Sequence, residues 1–135
     1  KTAILVDGGF YTRRAQKVFG DISAKDRATE LVNYCKRHLN SHGENNDLYR
    51  IFYYDCPPTS KRIYHPFLQK QVEQIILISG DSDFVSAAKL ARREGIDFIL
   101  DPLGAPIKPD LFEHIDGLRT CDKAYTQNVT AIHKK

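Results

Sequence analysis

The residues of this chain best suited to chemistry are aspartates. Asp7 closes the apolar segment TAILV, Asp55 closes LYRIFYY, Asp81 and Asp83 follow QIILIS across Gly80, and Asp101 closes IDFIL. Each segment has the length and the branched or aromatic character of a strand. If these strands run parallel, their carboxyl ends share one edge, and that edge is where open α/β sheets bind ligands. Carboxylates gathered there repel one another, more strongly in a low-dielectric cleft, and call for a cation. Hard oxygen donors suit Mg²⁺ or Mn²⁺. Such an ion activates a water, polarises a phosphoryl oxygen and stabilises a leaving alkoxide, so the chemistry expected is metal-assisted hydrolysis of a phosphodiester. Taken singly, each aspartate reads as a turn former or helix cap, Asp83 above all because a helix follows at Phe84. Aspartates at four strand ends on one predicted edge are harder to assign to turns independently.

The elements that must position these groups alternate along the chain. Thr2 to Val6 reads as a buried strand, followed by a short helix from Phe10 to Val18. Ser23, with Asp26 three residues on, resembles a capping box. Ala28, Leu31, Val32, Cys35 and Leu39 then recur at helical spacing as far as Asn40. Strands are expected at Leu48 to Tyr54, Gln74 to Ser79 and Ile96 to Leu100. A helix from Asp83 to Glu94 is expected to bury Phe84, Ala87, Ala88 and Ala91 and to stop at Gly95. A further helix is expected near Asp110 to Ile115, and a last strand at Asn128 to Ile132 or a frayed tail. Loops too long for hairpins imply a mostly parallel sheet with crossover helices.

A length of 135 residues fits one domain, and 41% hydrophobic with 27% charged residues is ordinary for a globular chain. The longest apolar runs are strand-sized, so no membrane segment is expected. The start at Lys1 shows no secretory pattern. Cys35, Cys56 and Cys121 are odd in number and widely spaced, which argues against a disulfide framework and for a reducing, cytoplasmic setting. The net charge of +3 permits nucleic-acid binding without announcing it.

Several residues invite a role. His38 and His42 have a zinc-compatible spacing, but the helix is expected to end between them, and they read as surface residues. Cys56 follows Asp55 with no histidine nearby in sequence and reads as a packing thiol. Lys61 and Arg62, beside Tyr64, could contact phosphates and stack on a base, and Lys108 follows Asp101 in the loop above the same edge. A haloacid dehalogenase-type phosphatase needs an Asp two residues after the first, where Gly9 stands, and no GxGxxG follows the first strand for a dinucleotide.

Together ILVDGGF, FYYDCPP, ISGDSDFVSAAKLARREG and DPLGAPIKPDLFEHID resemble the LabA-like branch of the NYN domains, relatives of PIN nucleases. The resemblance covers roughly Ala3 to Leu118, so residues 1–118 form the domain and 119–135 a C-terminal extension. It implies a three-layer α/β/α sandwich with a mostly parallel sheet and a Mg²⁺- or Mn²⁺-dependent ribonuclease centre acting on single-stranded RNA. By position, Asp7, Asp81 and Asp83 would be metal ligands and Asp101 a weaker ligand or water-positioning group. Asp55, Lys61, Arg62 and Lys108 would contact substrate. One departure matters: Cys56 to Glu73 is short for the crossover helix that family members place there, and Glu73 is its sole carboxylate. A parallel crossover takes about a dozen residues or more, and the three prolines at 57, 58 and 66 use up part of this one. The chain is therefore expected to be interrupted between about Thr59 and Gln71, with adjacent residues farther apart than the ~3.8 Å of a trans peptide. The alternative is an NYN-type module that binds RNA or a protein without catalysis. Homodimerisation stays open.

Overall fold

The computed structural model describes residues 1–40, 46–55, 72–80 and 84–126. Strand β1 (Thr2–Asp7) leads into helix α1 (Gly8–Phe19) and helix α2 (Ala24–Leu39). Strand β2 (Leu48–Tyr54), strand β3 (Gln74–Ile78), helix α3 (Val85–Arg93) and strand β4 (Asp97–Asp101) follow. A 3-10 helix (Pro109–His114) and the two-residue strand β5 (Gly117–Leu118) come next. The strands form one sheet of order β2-β1-β3-β4-β5 in which every neighbouring pair is parallel.

Both faces of the sheet are covered, which is why its central strands carry unbroken apolar runs between their ends rather than alternating. Ala3, Leu5, Ile75, Leu77, Phe98 and Leu100 pack with Phe84, Ala87, Ala88 and Ala91 of the α3 region. The intervening residues Ile4, Val6, Ile76, Ile78 and Ile99 pack on the other face with Phe10, Tyr11 and Ala15 of α1 and Leu31, Tyr34 and Cys35 of α2. The α3 face is the one the helical spacing predicts. Gly95, at φ 74°, ends that helix, and Ile96 N donates to Ala91 O at 2.8 Å.

Local signals set the helix starts. Ser23 Oγ accepts from Asp26 N at 3.1 Å, the N-cap expected of that sequence. Helix α1 begins two residues before the expected Phe10, because Asp7 is itself the N-cap and accepts from Phe10 N. The segment near Asp110 to Ile115 forms a 3-10 turn with proline at its first position, not an α-helix.

The buried face of α2 includes Leu31 and Cys35 with Leu39 packed beside them, as the spacing predicts, but it differs at other positions. Tyr34 and His38 are inside, at 2% and 0% exposure, whereas Val32 is 44% exposed and Ala28 is exposed. His38 is therefore a core residue, rotated inward by a partner on β4. The strand β5 was not expected, and the strand expected at Asn128 to Ile132 lies outside the described residues. So do His42 and the connection from Thr59 to Gln71. Residues 119–126 belong to the packed body: Tyr125 is 1% exposed and meets Phe19 and Tyr34 edge to face. Among the described residues, no helix is long and apolar enough to cross a membrane.

Candidate functional site

The chain passes from β1 to β2 on one side and then to β3 on the other, so the strand order reverses at β1. At such a switch point the connections from the carboxyl ends of adjacent strands lead apart, and a crevice opens between them. Here the crevice falls between the ends of β1 and β3, which carry Asp7 and Ser79. Ser79 Oγ donates to Asp7 Oδ2 at 3.2 Å, while Asp7 Oδ1 accepts from Phe10 N at 3.2 Å. Asp7 is half-buried, and Ser79 is fully buried. No local pattern in the sequence singles out this serine, which begins SGDSDF.

Two glycines permit this close approach. A methyl group at Gly80 would stand 2.7 Å from the ring of Phe10, which is itself 3% exposed. The same point lies 3.5 Å from Ala105 Cβ, in the loop after β4. At Gly8 a methyl would meet the Tyr53 ring at 2.4 Å. The glycines of DGGF and SGD thus pack against aromatic side chains on either side of the end of β1, Gly8 on Tyr53 of β2 and Gly80 on Phe10. Gly80→Ala is expected to destabilise the fold by about 1–3 kcal/mol, because Phe10 has no room to retreat. Thermal unfolding against the wild type checks this.

Asp101 has a different occupation from the one its strand-end position suggests. It shares the side of β4 that bears Ile99, faces α2, and is 0% exposed. Its Oδ1 accepts from Leu103 N at 2.9 Å and Thr120 Oγ1 at 3.0 Å. Its Oδ2 accepts from the Tyr34 hydroxyl and lies 2.6 Å from His38 Nε2. The expected ligand or water-positioning role gives way to that of an internal anchor with both oxygens engaged. Tyr34 Oη in turn accepts from Cys121 N at 3.0 Å, tying the C-terminal segment to α2. Burial first, and then the Asp101 carboxylate, raise the pKa of the Tyr34 hydroxyl. The same two causes push the Cys35 thiol up to about 12 and the Cys121 thiol up to about 11, so neither is a thiolate nucleophile near neutral pH.

Of the other expected site residues, Asp55 is exposed directly after β2, at the carboxyl edge. Lys108 is exposed before the 3-10 helix, three residues after the Ala105 that abuts Gly80. Asp81, Asp83, Lys61, Arg62 and Cys56 lie outside the described residues. Asp81 and Asp83 follow Ser79 by two and four positions in sequence, and Phe84 after them is buried at 3% exposure. Among the described residues, no group of three histidine, cysteine or acidic side chains is placed to hold a metal. Comparison of the chain with protein-family models, with characterised proteins and with solved structures returned no match.

Proposed function

We propose that this chain is a metal-dependent ribonuclease of the NYN type, with a PIN-like fold, which hydrolyses RNA phosphodiester bonds at the crevice between β1 and β3. The observation that carries the reading is the hydrogen bond from Ser79 Oγ to Asp7 Oδ2. It joins the end of β1 to the start of the segment whose sequence supplies Asp81 and Asp83. The donor chemistry fits Mg²⁺ or Mn²⁺: a half-exposed carboxylate and a serine hydroxyl are hard oxygen groups, and two further carboxylates follow in the chain. When bound, such an ion supplies a low-pKa water and polarises the phosphoryl group. In this reading Asp7, Asp81 and Asp83 hold the ion. Ser79 fixes the rotamer of Asp7, and Phe10 N at the amino end of α1 donates to the other carboxylate oxygen. Lys108, Lys61 and Arg62 would meet phosphates, and Asp55 would border the substrate.

A second reading, an NYN-type module that binds RNA or protein without cleaving, rests on Glu73. This carboxylate, the only one between Cys56 and Glu73, stands just before β3, where Asp97 N donates to Glu73 O at 2.9 Å. That is the amino edge of the sheet, away from Asp7. Labelled single-stranded RNA incubated with Mn²⁺, with and without chelator, beside an Asp81→Asn variant separates the readings. The nuclease reading expects cleavage that chelator and the variant both abolish. A gel shift without product, insensitive to chelator, selects the binding module.

A further inference from the structure

A groove of about 630 Å³ runs between α1, α2 and the edge strand β2, within the ~300–1,000 Å³ typical of small-ligand clefts. Leu31 and Ile51 lie along it, and Tyr11, Ile22, Val32 and Tyr53 complete an apolar lining. The last three are 47%, 44% and 53% exposed, so Val32 of α2 joins Ile22, just before that helix, and Tyr53 of β2 in an outward-facing apolar surface. This is where the unexpected rotation of α2 leaves Ala28 and Val32.

The groove is continuous with the candidate site through one side chain. The Tyr53 ring rests on Gly8, the residue that follows Asp7, so the same ring lines the groove and abuts the chain next to Asp7. On the next residue, a methyl at Gly9 would stand 3.3 Å from Arg13 Nη1 and 3.9 Å from Asp7 Oδ1. The cation of Arg13, the carboxylate of Asp7 and the exposed Tyr53 ring of β2 therefore gather around the start of α1. Single-stranded nucleic acid is held by this combination, with positive charge on the backbone and aromatic rings on the bases. Thr12 and Gln16, on the groove wall, offer hydrogen-bonding groups to a base edge.

We propose that the groove is a nucleobase subsite, in which an unpaired base of single-stranded RNA next to the scissile phosphate stacks on Tyr53 and enters the slot between α1 and α2. The inference rests on the ribonuclease reading and deepens it. Because a base must leave its stack to enter, the site selects single strands over duplex.

The test is fluorescence anisotropy of a labelled single-stranded oligoribonucleotide in Ca²⁺ buffer, with wild type, Tyr53→Ala, Tyr53→Phe and Ala28→Phe. Tyr53→Ala is expected to weaken binding by about 5- to 150-fold, the range for loss of one stacked base. Tyr53→Phe keeps the ring and should stay within about 2-fold of wild type. Ala28→Phe fills the slot from an exposed helix position without changing charge, and should weaken binding even if Tyr53→Ala misfolds. Wild-type affinity in both Tyr53→Ala and Ala28→Phe, each folded by circular dichroism, overturns the subsite while chelator-sensitive cleavage leaves the nuclease reading standing. A wild-type chain that neither binds nor cleaves RNA overturns both. Sedimentation showing a wild-type dimer that Ala28→Phe dissociates, with RNA affinity unchanged, would assign the groove to a second copy of the chain and overturn the subsite.

Discussion

An Asp7→Asn chain is expected to lose Mn²⁺-dependent cleavage of single-stranded RNA by more than about 100-fold while keeping its fold. Groups that merely orient metal ligands cost about 10–100-fold when removed, so loss of a ligand's charge should exceed that range. Stability should change little, because asparagine caps a helix as well as aspartate does. Its oxygen can still accept from Phe10 N, and its amide can donate to Ser79 Oγ, which preserves the two contacts seen at Asp7. The measurement is kcat/KM at saturating Mn²⁺ together with a melting curve. Cleavage at the wild-type rate would sink the role given to Asp7, whereas lost cleavage with a collapsed melting transition would make it structural.

The sheet was legible because its strands are covered on both faces. Runs such as IILI and FIL carry no alternation, so they could only be short buried strands or pieces of helix, and the small-residue turns that bound them decide for strands. Parallel pairing followed from the loop lengths, and the position of Asp7 at a strand end followed from the DGG turn. The relation between Asp7 and Ser79 was less accessible. It depends on strand order, since β1 and β3 meet only because β2 lies on the other side of β1, and no local pattern encodes that.

The departure of α2 at Ala28 and Val32, beside the expected Leu31, Cys35 and Leu39, has a related reason. Apolar spacing favours Ala28, Leu31, Val32, Cys35 and Leu39, and nothing within the helix says that Tyr34 and His38 have a carboxylate to meet 67 and 63 residues away. Hydrogen-bonding demand from β4 outweighs the apolar count and leaves Val32 at the groove. A signal existed in the alternation along β4: Asp101 shares parity with Ile99, so it belongs to the α2 face rather than to an open edge. Reading parity as well as position would have separated Asp101 from the other strand-end aspartates.

That separation leads to the largest stability effect expected. Asp101→Ala should destabilise the chain by about 3–5 kcal/mol, the cost of removing the shared acceptor of a buried hydrogen-bonded cluster. Four donors lose their acceptor at once: Leu103 N, Thr120 Oγ1, the Tyr34 hydroxyl and the His38 ring. Each buried polar group stranded in this way costs about 1–3 kcal/mol, and partial repacking or entry of water keeps the total below their sum. The turn after β4 adds to the effect. Leu103 sits at φ 49°, a left-handed conformation unusual for a leucine, and is fully buried; the bond from its N–H to Asp101 and those from Arg14 to its carbonyl hold it there. Asp101→Asn should lose clearly less, because an amide of the same shape retains an acceptor for Leu103 N and Thr120 Oγ1 and can donate toward His38. Tyr34→Phe should cost about 1–2 kcal/mol, as it deletes one hydroxyl bonded to both Asp101 and Cys121 N. Chemical denaturation of the three variants checks the ordering. Since Ala105, two residues after Leu103, abuts Gly80, loosening this turn should also disturb the crevice. Asp101→Ala is thus expected to lower RNA cleavage through the fold, with the residual activity recovering as temperature is reduced. Asp7→Asn, which removes a group from the crevice itself, should show no such recovery. If Asp101→Ala unfolds at wild-type denaturant concentration yet abolishes cleavage, Asp101 belongs to the chemistry after all and the structural role argued here fails.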